Sequence, residues 1–130
     1  MRILLIDDDE VFLTLMEGIL SQKGYQVVRA TDGKQAREAL AVEKIDLIIS
    51  DVYMPTLDGV RFHSFVREFT DAKNVPFIFI SAHADKYLQN LATQSANDYF
   101  LRKPVPVEDI LTLIDKVTTR ITPGGSPGPD

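Results

Sequence analysis

Acidic residues are concentrated directly after the first apolar run of the chain. Residues 3–6 are consecutive aliphatics, and they are followed without interruption by Asp7, Asp8, Asp9 and Glu10. If residues 3–6 form a buried strand, its carboxyl end brings these acids together at one edge of the protein. Because like charges repel, the placement indicates either a solvated turn or a site built for a cation.

Other side chains capable of chemistry follow later apolar runs. Asp51, Ser81 and the pair Lys103-Pro104 each end or closely follow such a run. In open α/β sheets, ligands bind beyond the carboxyl ends of the strands, where the strand order reverses. The sequence therefore predicts that carboxylates, a hydroxyl and an amine converge at one end of a sheet.

The joint placement of these groups favours a metal site. Each residue alone has a structural explanation as a helix cap, a turn residue or a surface charge. Two unit charges ~4 Å apart repel by ~4 kcal/mol at an effective dielectric of ~20, so three convergent carboxylates need a cation or a proton. Oxygen-only ligands suit a hard ion that keeps several waters and leaves room for a phosphate. We interpret Asp7, Asp8 and Asp51 as a Mg²⁺ site that Mn²⁺ also suits, with Lys103 as a charge for phosphate and Ser81 as a hydrogen-bond donor.

Five apolar runs alternate with segments of helical spacing, which predicts the elements that position these residues. The runs are 3–6, 25–28, 46–50, 75–81 and 98–101. The first helical segment is predicted to turn one set of residues inward and to end at Gly24; the set is Val11, Phe12, Leu15, Met16, Ile19 and Leu20. A weaker helix is predicted around Tyr87, Leu88 and Leu91. This alternation predicts an α/β fold, with one doubly wound five-stranded parallel sheet and helices on both faces.

Length, charge and composition narrow the classes of function. The chain has 130 residues, a net charge of −5 and no cysteine. We expect one domain over residues 1–121, followed by a flexible Pro/Gly-rich tail or linker over 122–130. The negative charge argues against direct nucleic-acid binding. No apolar run approaches membrane-spanning length, and the lack of cysteine fits the cytoplasm, where we expect the protein.

Four segments resemble the receiver domain of two-component response regulators. They are ILLIDDDE (3–10), DLIISDVYMPTLDGV (46–60), FIFISAHAD (77–85) and DYFLRKPV (98–105). The resemblance covers residues 1–121 in order and implies the flavodoxin-like strand order 2-1-3-4-5. It also implies a phosphoacceptor switch rather than an enzyme with a separate substrate. The implied partners are a sensor histidine kinase or histidine phosphotransfer domain, and a downstream effector or attached output domain.

The resemblance assigns roles to the phosphoacceptor and its ligands. Asp51 is implied to accept a phosphoryl group from a phosphohistidine. Asp8, with Asp7 beside it, is implied to hold Mg²⁺ together with Asp51 and the backbone carbonyl of Tyr53. Lys103 is implied to pair with Asp51 and then with the phosphoryl group.

The resemblance also assigns a conformational switch. Ser81 is implied to donate to a phosphoryl oxygen in the active state, and the peptide bond before Pro104 to be cis. Phe100 matches the rotating aromatic of the family by its spacing from Lys103. A slip of one residue in that count makes Tyr99 the switch instead.

Two histidines and one tyrosine lie near these motifs. Tyr53 and His83, each two residues beyond a predicted strand end, are expected at the rim of the site. There they either screen the phosphoryl group from water or only tune the docking of partners. A third helix is predicted from the helical spacing of Phe62, Phe65, Val66 and Phe69. His63 is expected at the surface or boundary of this helix and not as a phosphocarrier.

Two other functions are weighed against the switch. An aspartate-nucleophile phosphohydrolase has a similar set of groups, but it usually places a second acid where this chain has Tyr53. A docking module with a degenerate site would normally have lost Asp51, the acid pair or Lys103, all of which are present.

Overall fold

A computed structural model describes residues 1–54, 57–70, 74–82, 86, 89–90 and 97–121. The strands of its main sheet are β1 (Arg2–Ile6), β2 (Gln26–Ala30), β3 (Leu47–Asp51), β4 (Phe77–Ser81) and β5 (Asp98–Arg102). The helices with described bounds are α1 (Glu10–Gln22), α2 (Gly33–Val42), α3 (Gly59–Phe69) and α4 (Val107–Ile121). A short antiparallel ribbon of Tyr53–Met54 and Leu57–Asp58, which the sequence pattern does not predict, precedes α3.

The main sheet is parallel throughout and has the order β2-β1-β3-β4-β5. The predicted α/β fold and its strand order 2-1-3-4-5 are therefore confirmed. Parallel strands need long crossovers, and the helices that supply these crossovers cover both faces of the sheet. Covered on both sides, the inner strands β1, β3 and β4 are almost entirely buried, which explains their continuous apolar sequences.

Two apolar cores lie on opposite faces of the sheet because side chains alternate along each strand. The α2/α3-face core includes Leu4, Ile6, Ile48, Phe62, Val66, Phe77 and Phe79. The α1/α4-face core includes Ile3, Leu5, Leu13, Met16, Ile49, Ile110 and Ile114. Mutations at neighbouring positions of one strand therefore affect opposite cores and different helix pairs.

Helix boundaries follow from capping residues. Asp9 caps α1, and its Oδ1 accepts hydrogen bonds from the backbone N–H of Val11 and of Phe12 at 3.0 and 3.2 Å. Asp32 caps α2 by accepting from the N–H of Gln35 at 2.8 Å. Gly24 follows the end of α1 with a φ of 91°, a left-handed conformation that glycine adopts without strain.

The prediction of which residues α1 turns inward is wrong at two positions. Val11 is 78% exposed and Leu15 is 56% exposed, whereas Leu13 is fully buried. The helix is apolar around most of its circumference, so periodicity alone does not show which stripe the sheet covers.

The expectation that His63 lies at the surface or boundary of its helix is also wrong. It is only 8% exposed, and its ring lies 5.1 Å from the ring of Phe77 and 5.2 Å from that of Phe79 between centroids. Its Nε2 lies 2.8 Å from Oδ1 of Asp98, which also pairs with Arg67 at 2.8 Å. A buried carboxylate stabilised by two partners thus ties α3 to the start of β5.

Two other predictions fall partly or wholly outside the described residues. Tyr87, Leu88 and Leu91 are not among them, although residues 86, 89 and 90 are helical. The predicted tail, residues 122–130, is also outside them. Within the part of the chain that the structure describes, no helix combines the length and apolar character needed to cross a bilayer.

Candidate functional site

The strand register brings the predicted site residues to one edge of the sheet. Ile6 of β1 lies opposite Ser50 of β3, so the next residues along the chain, Asp7 and Asp51, emerge side by side. Asp51 in turn lies opposite Ile80 of β4, which places Ser81 one step beyond it. The parallel register therefore places Asp7, Asp51 and Ser81 close together although they are distant in sequence.

Three carboxylates meet at this edge. Asp7 is 1% exposed, Asp51 is half-buried and Asp8 is exposed. One carboxylate oxygen from each of Asp7, Asp8 and Asp51 lies within 4.8 Å of the others. This spacing is short enough for a single cation to be shared by the three groups.

The Asp7 carboxylate is held by two different donors. Its Oδ1 accepts from the backbone N–H of Asp9 at 2.9 Å, and its Oδ2 accepts from Nζ of Lys103 at 3.0 Å. Burial raises the pKa of the Asp7 carboxyl, and the hydrogen bonds from Asp9 and Lys103 only partly oppose that rise. A bound cation would favour the ionised form of the same group.

The Lys103 ammonium lies among the acids. Its Nζ is 3.0 Å from Oδ2 of Asp7 and 3.5 Å from Oδ2 of Asp51. Burial alone lowers the pKa of Lys103, but the hydrogen bond and charge of Asp7, together with Asp51, raise it above its ordinary value. Lys103 is therefore charged at neutral pH and offers a fixed positive point beside Asp51.

The four consecutive acids divide into separate tasks. Asp9 and Glu10 belong to the first turn of α1, where Asp9 caps the helix and the negative charge of Glu10 favours its amino terminus. Asp7 and Asp8 remain for the cluster with Asp51. Dense negative charge at this point of the chain therefore serves both a helix start and a cluster of potential ligands.

The donor set fits a hard divalent ion. The clustered groups are carboxylates. Burial raises the pKa of Asp7, so the hydrogen bonds of this carboxylate do not fully offset the cost of burying its charge. Mg²⁺ prefers oxygen ligands of this kind. The backbone of Tyr53, which the resemblance implies as a further ligand, follows Asp51 by two residues in the short ribbon.

Ser81 and Lys103 are linked through the backbone. Ser81 is fully buried at the end of β4, and its carbonyl accepts from the N–H of Lys103 at 2.7 Å. The next peptide bond, Lys103–Pro104, is cis, which is the isomer that the resemblance implies. Because of this hydrogen bond, a shift of the Ser81 backbone would also move the backbone of Lys103.

Phe100 and Tyr99 lie on opposite faces of β5. Phe100 is half-buried against the α2/α3-face core, opposite Phe79 in the strand register. Tyr99 packs against the α1/α4-face core. A rotation of Phe100 would therefore change the packing on the α2/α3 face, whereas a rotation of Tyr99 would change the packing on the α1/α4 face.

Some predicted rim groups fall outside the description. His83 and the side chain of Tyr53 are not among the described parts of the chain. Conversely, sequence reasoning missed a contact at the site: Nζ of Lys103 lies 5.0 Å from the ring centroid of Phe12. Phe12 fits the apolar pattern of α1, so its sequence position signals only core packing.

Comparisons with known proteins agree with this fold. The model of the response regulator receiver domain matches residues 3–115. A probable chemotaxis protein CheY of Rhizobium etli is 32% identical over 117 residues, which cover 89% of this chain and 91% of that protein. Two-component response regulator ARR12 of Arabidopsis thaliana is 39% identical over 113 residues, which cover 85% of this chain and 18% of that protein.

Other curated relatives are also longer than this chain. Two uncharacterized transcriptional regulatory proteins of Bacillus subtilis, YrkP and YvcP, are 33% and 34% identical over 84% and 92% of this chain. The matches cover only 46% and 49% of those proteins. The chain thus spans less than half the length of several curated relatives that it matches.

Solved structures share the whole fold. The receiver domain of the Francisella response regulator 1452 superposes with a TM-score of 0.82 at 25% identity, covering 93% of this chain and 98% of that one. Chemotaxis response regulator CheY4 of Vibrio cholerae gives 0.79 at 27% identity, covering 89% and 97%. The family match and the strand order show that the chain belongs to the response regulator receiver domains of two-component systems, and the carboxylate–lysine cluster is consistent with this.

Proposed function

We propose that this domain is a phosphoacceptor switch that takes a phosphoryl group from a histidine kinase or a histidine phosphotransfer protein onto Asp51. The observation that carries the proposal is the position of the Lys103 ammonium, which contacts both Asp7 and Asp51 at the carboxyl edge of the sheet. A structural ion pair needs only one acid. Lys103 instead contacts two acids of a three-carboxylate cluster. An ammonium in this position is suited to bind the negatively charged phosphoryl group.

Asp51 supplies the nucleophile. One of its carboxylate oxygens forms a bond to phosphorus while the phosphorus–nitrogen bond of the phosphohistidine breaks. The imidazole nitrogen keeps the electron pair and takes up one proton from solvent. Phosphoryl transfer demands in-line positioning and neutralisation of charge on the equatorial oxygens, and it needs no base when the nucleophile is already ionised.

The remaining residues of the site neutralise and orient. Lys103 provides a positive charge beside Asp51, and Ser81 provides a hydroxyl on the neighbouring strand. Asp7, Asp8, Asp51 and the backbone carbonyl of Tyr53 would hold Mg²⁺. The ion would supply charge neutralisation for the phosphoryl oxygens.

The switch follows from the position of Ser81 and Phe100. A hydrogen bond from Ser81 to a phosphoryl oxygen would draw the end of β4 toward Asp51. Phe100, half-buried against the α2/α3-face core, would then turn into the space that this movement leaves. A local charge change thereby biases a two-state element, and the altered surface regulates a partner or an attached output domain.

The proposed activity is signalling, without turnover of a separate substrate. The chain has Tyr53 where an aspartate-nucleophile phosphohydrolase usually has its second acid, and it retains the residues that a degenerate docking module loses. The net charge of −5 favours protein partners over direct contact with nucleic acid, and the composition fits the cytoplasm.

The test is labelling by a small acyl phosphate, followed by mass spectrometry of the intact protein. Wild type should gain one phosphoryl mass in Mg²⁺, and a chelator or the Asp51→Asn variant should prevent the gain. Asp46→Asn, at the opposite end of β3, is the matched control and should be labelled like wild type. Full labelling of Asp51→Asn would contradict the assignment, and turnover of a generic phosphoester would favour the hydrolase.

A further inference from the structure

Phe12 covers one side of the Lys103 ammonium. The ring is half-buried against the α1/α4-face core, and its centroid lies 5.0 Å from Nζ of Lys103. The first turn of α1 holds the backbone of Phe12, whose N–H donates to Oδ1 of Asp9 at 3.2 Å. The face of an aromatic ring attracts an ammonium through its quadrupole, and this distance is within the range of that attraction.

The ammonium also contacts two carboxylates that are proposed to bind Mg²⁺. The shortest, at 3.0 Å, is with Asp7, and the other is with Asp51 at 3.5 Å. Both carboxylates belong to the cluster that fits Mg²⁺. A carboxylate that neutralises a divalent ion attracts an ammonium less, so Lys103 loses attraction when the site is loaded.

The ring of Phe12 is unaffected by that competition, since it is not a ligand for a hard ion. Lysine carries a flexible four-carbon stem with considerable rotamer entropy, and 26% of this side chain is exposed. Without a further contact, the loaded site would leave the ammonium free to turn toward solvent.

We propose that Phe12 is a positioning residue for phosphoryl transfer, one that keeps the Lys103 ammonium beside Asp51 when the neighbouring carboxylates are engaged by a cation. The inference rests on the proposed function of Asp51. An aliphatic side chain would fill the same space on α1 but would not attract the charge.

The experiment compares the second-order rate constant for labelling by a small acyl phosphate at saturating Mg²⁺ in four proteins. Phe12→Leu keeps an apolar side chain, removes the aromatic face, and should slow labelling by roughly 3- to 10-fold. Phe12→Tyr retains the aromatic face and should stay within about twofold of wild type. Phe65→Leu is the matched control, because Phe65 lies under Arg37 at 5.1 Å on the other face of the sheet, and it should label like wild type.

A second readout follows the contact itself. The face of a ring shields protons above it, so the ε-methylene protons of Lys103 should resonate upfield in wild type and in Phe12→Tyr. In Phe12→Leu they should move downfield. This measurement needs a folded protein and no phosphodonor.

The outcomes separate this inference from the proposed function. If wild type is not labelled at all, the function proposed for Asp51 is wrong, and the resonance of Lys103 still tests the contact. If wild type is labelled and Phe12→Leu is labelled equally fast, the positioning role is wrong. It is also wrong if Phe12→Tyr is as slow as Phe12→Leu, or if the Lys103 resonance is the same in wild type and Phe12→Leu.

Discussion

The cluster of carboxylates predicts that the metal-free domain is destabilised by its own site. Oxygens of Asp7, Asp8 and Asp51 lie within 4.8 Å of one another, and Lys103 contributes a single positive charge beside them. At that separation two unit charges repel by about 3.5 kcal/mol at an effective dielectric of ~20, and by about 1 kcal/mol in bulk water. Asp8 is exposed, so the smaller figure applies to it.

Replacing Asp8 by Asn removes this repulsion and keeps the size of the side chain. The free energy of unfolding of the metal-free protein should therefore rise by about 1 kcal/mol, which corresponds to roughly 3–6 °C in melting temperature. In wild type, Mg²⁺ that binds only the folded state should stabilise by about 2.7 kcal/mol at 100 times its Kd, or roughly 10 °C. Asp8→Asn should lose most of that response because a ligand is missing.

The assay is thermal unfolding followed by circular dichroism, first in chelator and then over a Mg²⁺ titration at constant ionic strength. Asp9→Asn is the matched control. It removes one charge from the same acidic run, but Asn caps a helix as well as Asp does, and Asp9 lies outside the cluster. It should keep the full response to Mg²⁺. A wild-type melting temperature that is unchanged from zero to saturating Mg²⁺, or a full response in Asp8→Asn, would refute the reasoning.

Two further predictions concern the buried ion pair and the lifetime of the phosphorylated state. Arg67→Met should lower the free energy of unfolding by about 3 kcal/mol in urea titrations, since the 3% exposed Asp98 loses a charged partner at 2.8 Å; a change below about 1 kcal/mol would contradict this account. From the sequence alone, Tyr53→Ala or His83→Ala should shorten the lifetime of phosphorylated Asp51 after donor removal at fixed Mg²⁺, because either change opens a path for the attacking water. Decay at the wild-type rate or more slowly in both variants would show that these residues do not screen the group.

Much of the fold was determined by the sequence because local patterns control it. Continuous apolar runs of strand length that alternate with helical spacing require a parallel sheet covered on both faces. Once the sheet is parallel, residues at the carboxyl ends of its strands must share an edge. Asp7, Asp51 and Lys103 therefore come together from positions that span most of the chain, and the sequence predicts this cluster without coordinates.

The tertiary structure decided which side chains are covered and which groups pair. The apolar pattern of α1 extends around the helix, so only the packed sheet shows that Val11 is exposed and Leu13 is buried. His63 is buried because α3 lies over the phenylalanines of β4 and meets Asp98 at the start of a strand 35 residues away. Such contacts join distant segments, and no local periodicity encodes their partners.

The division of labour within the acidic run also depends on the tertiary structure. The sequence shows four acids in succession, but Asp9 is committed to α1 by its own geometry, whereas Asp7 reaches Lys103 across 96 residues. The position of Phe12 over that ammonium has the same origin. The sequence determines which groups reach the edge of the sheet. Which of them face one another depends on how α1 packs on the sheet, and that packing involves side chains from distant parts of the chain.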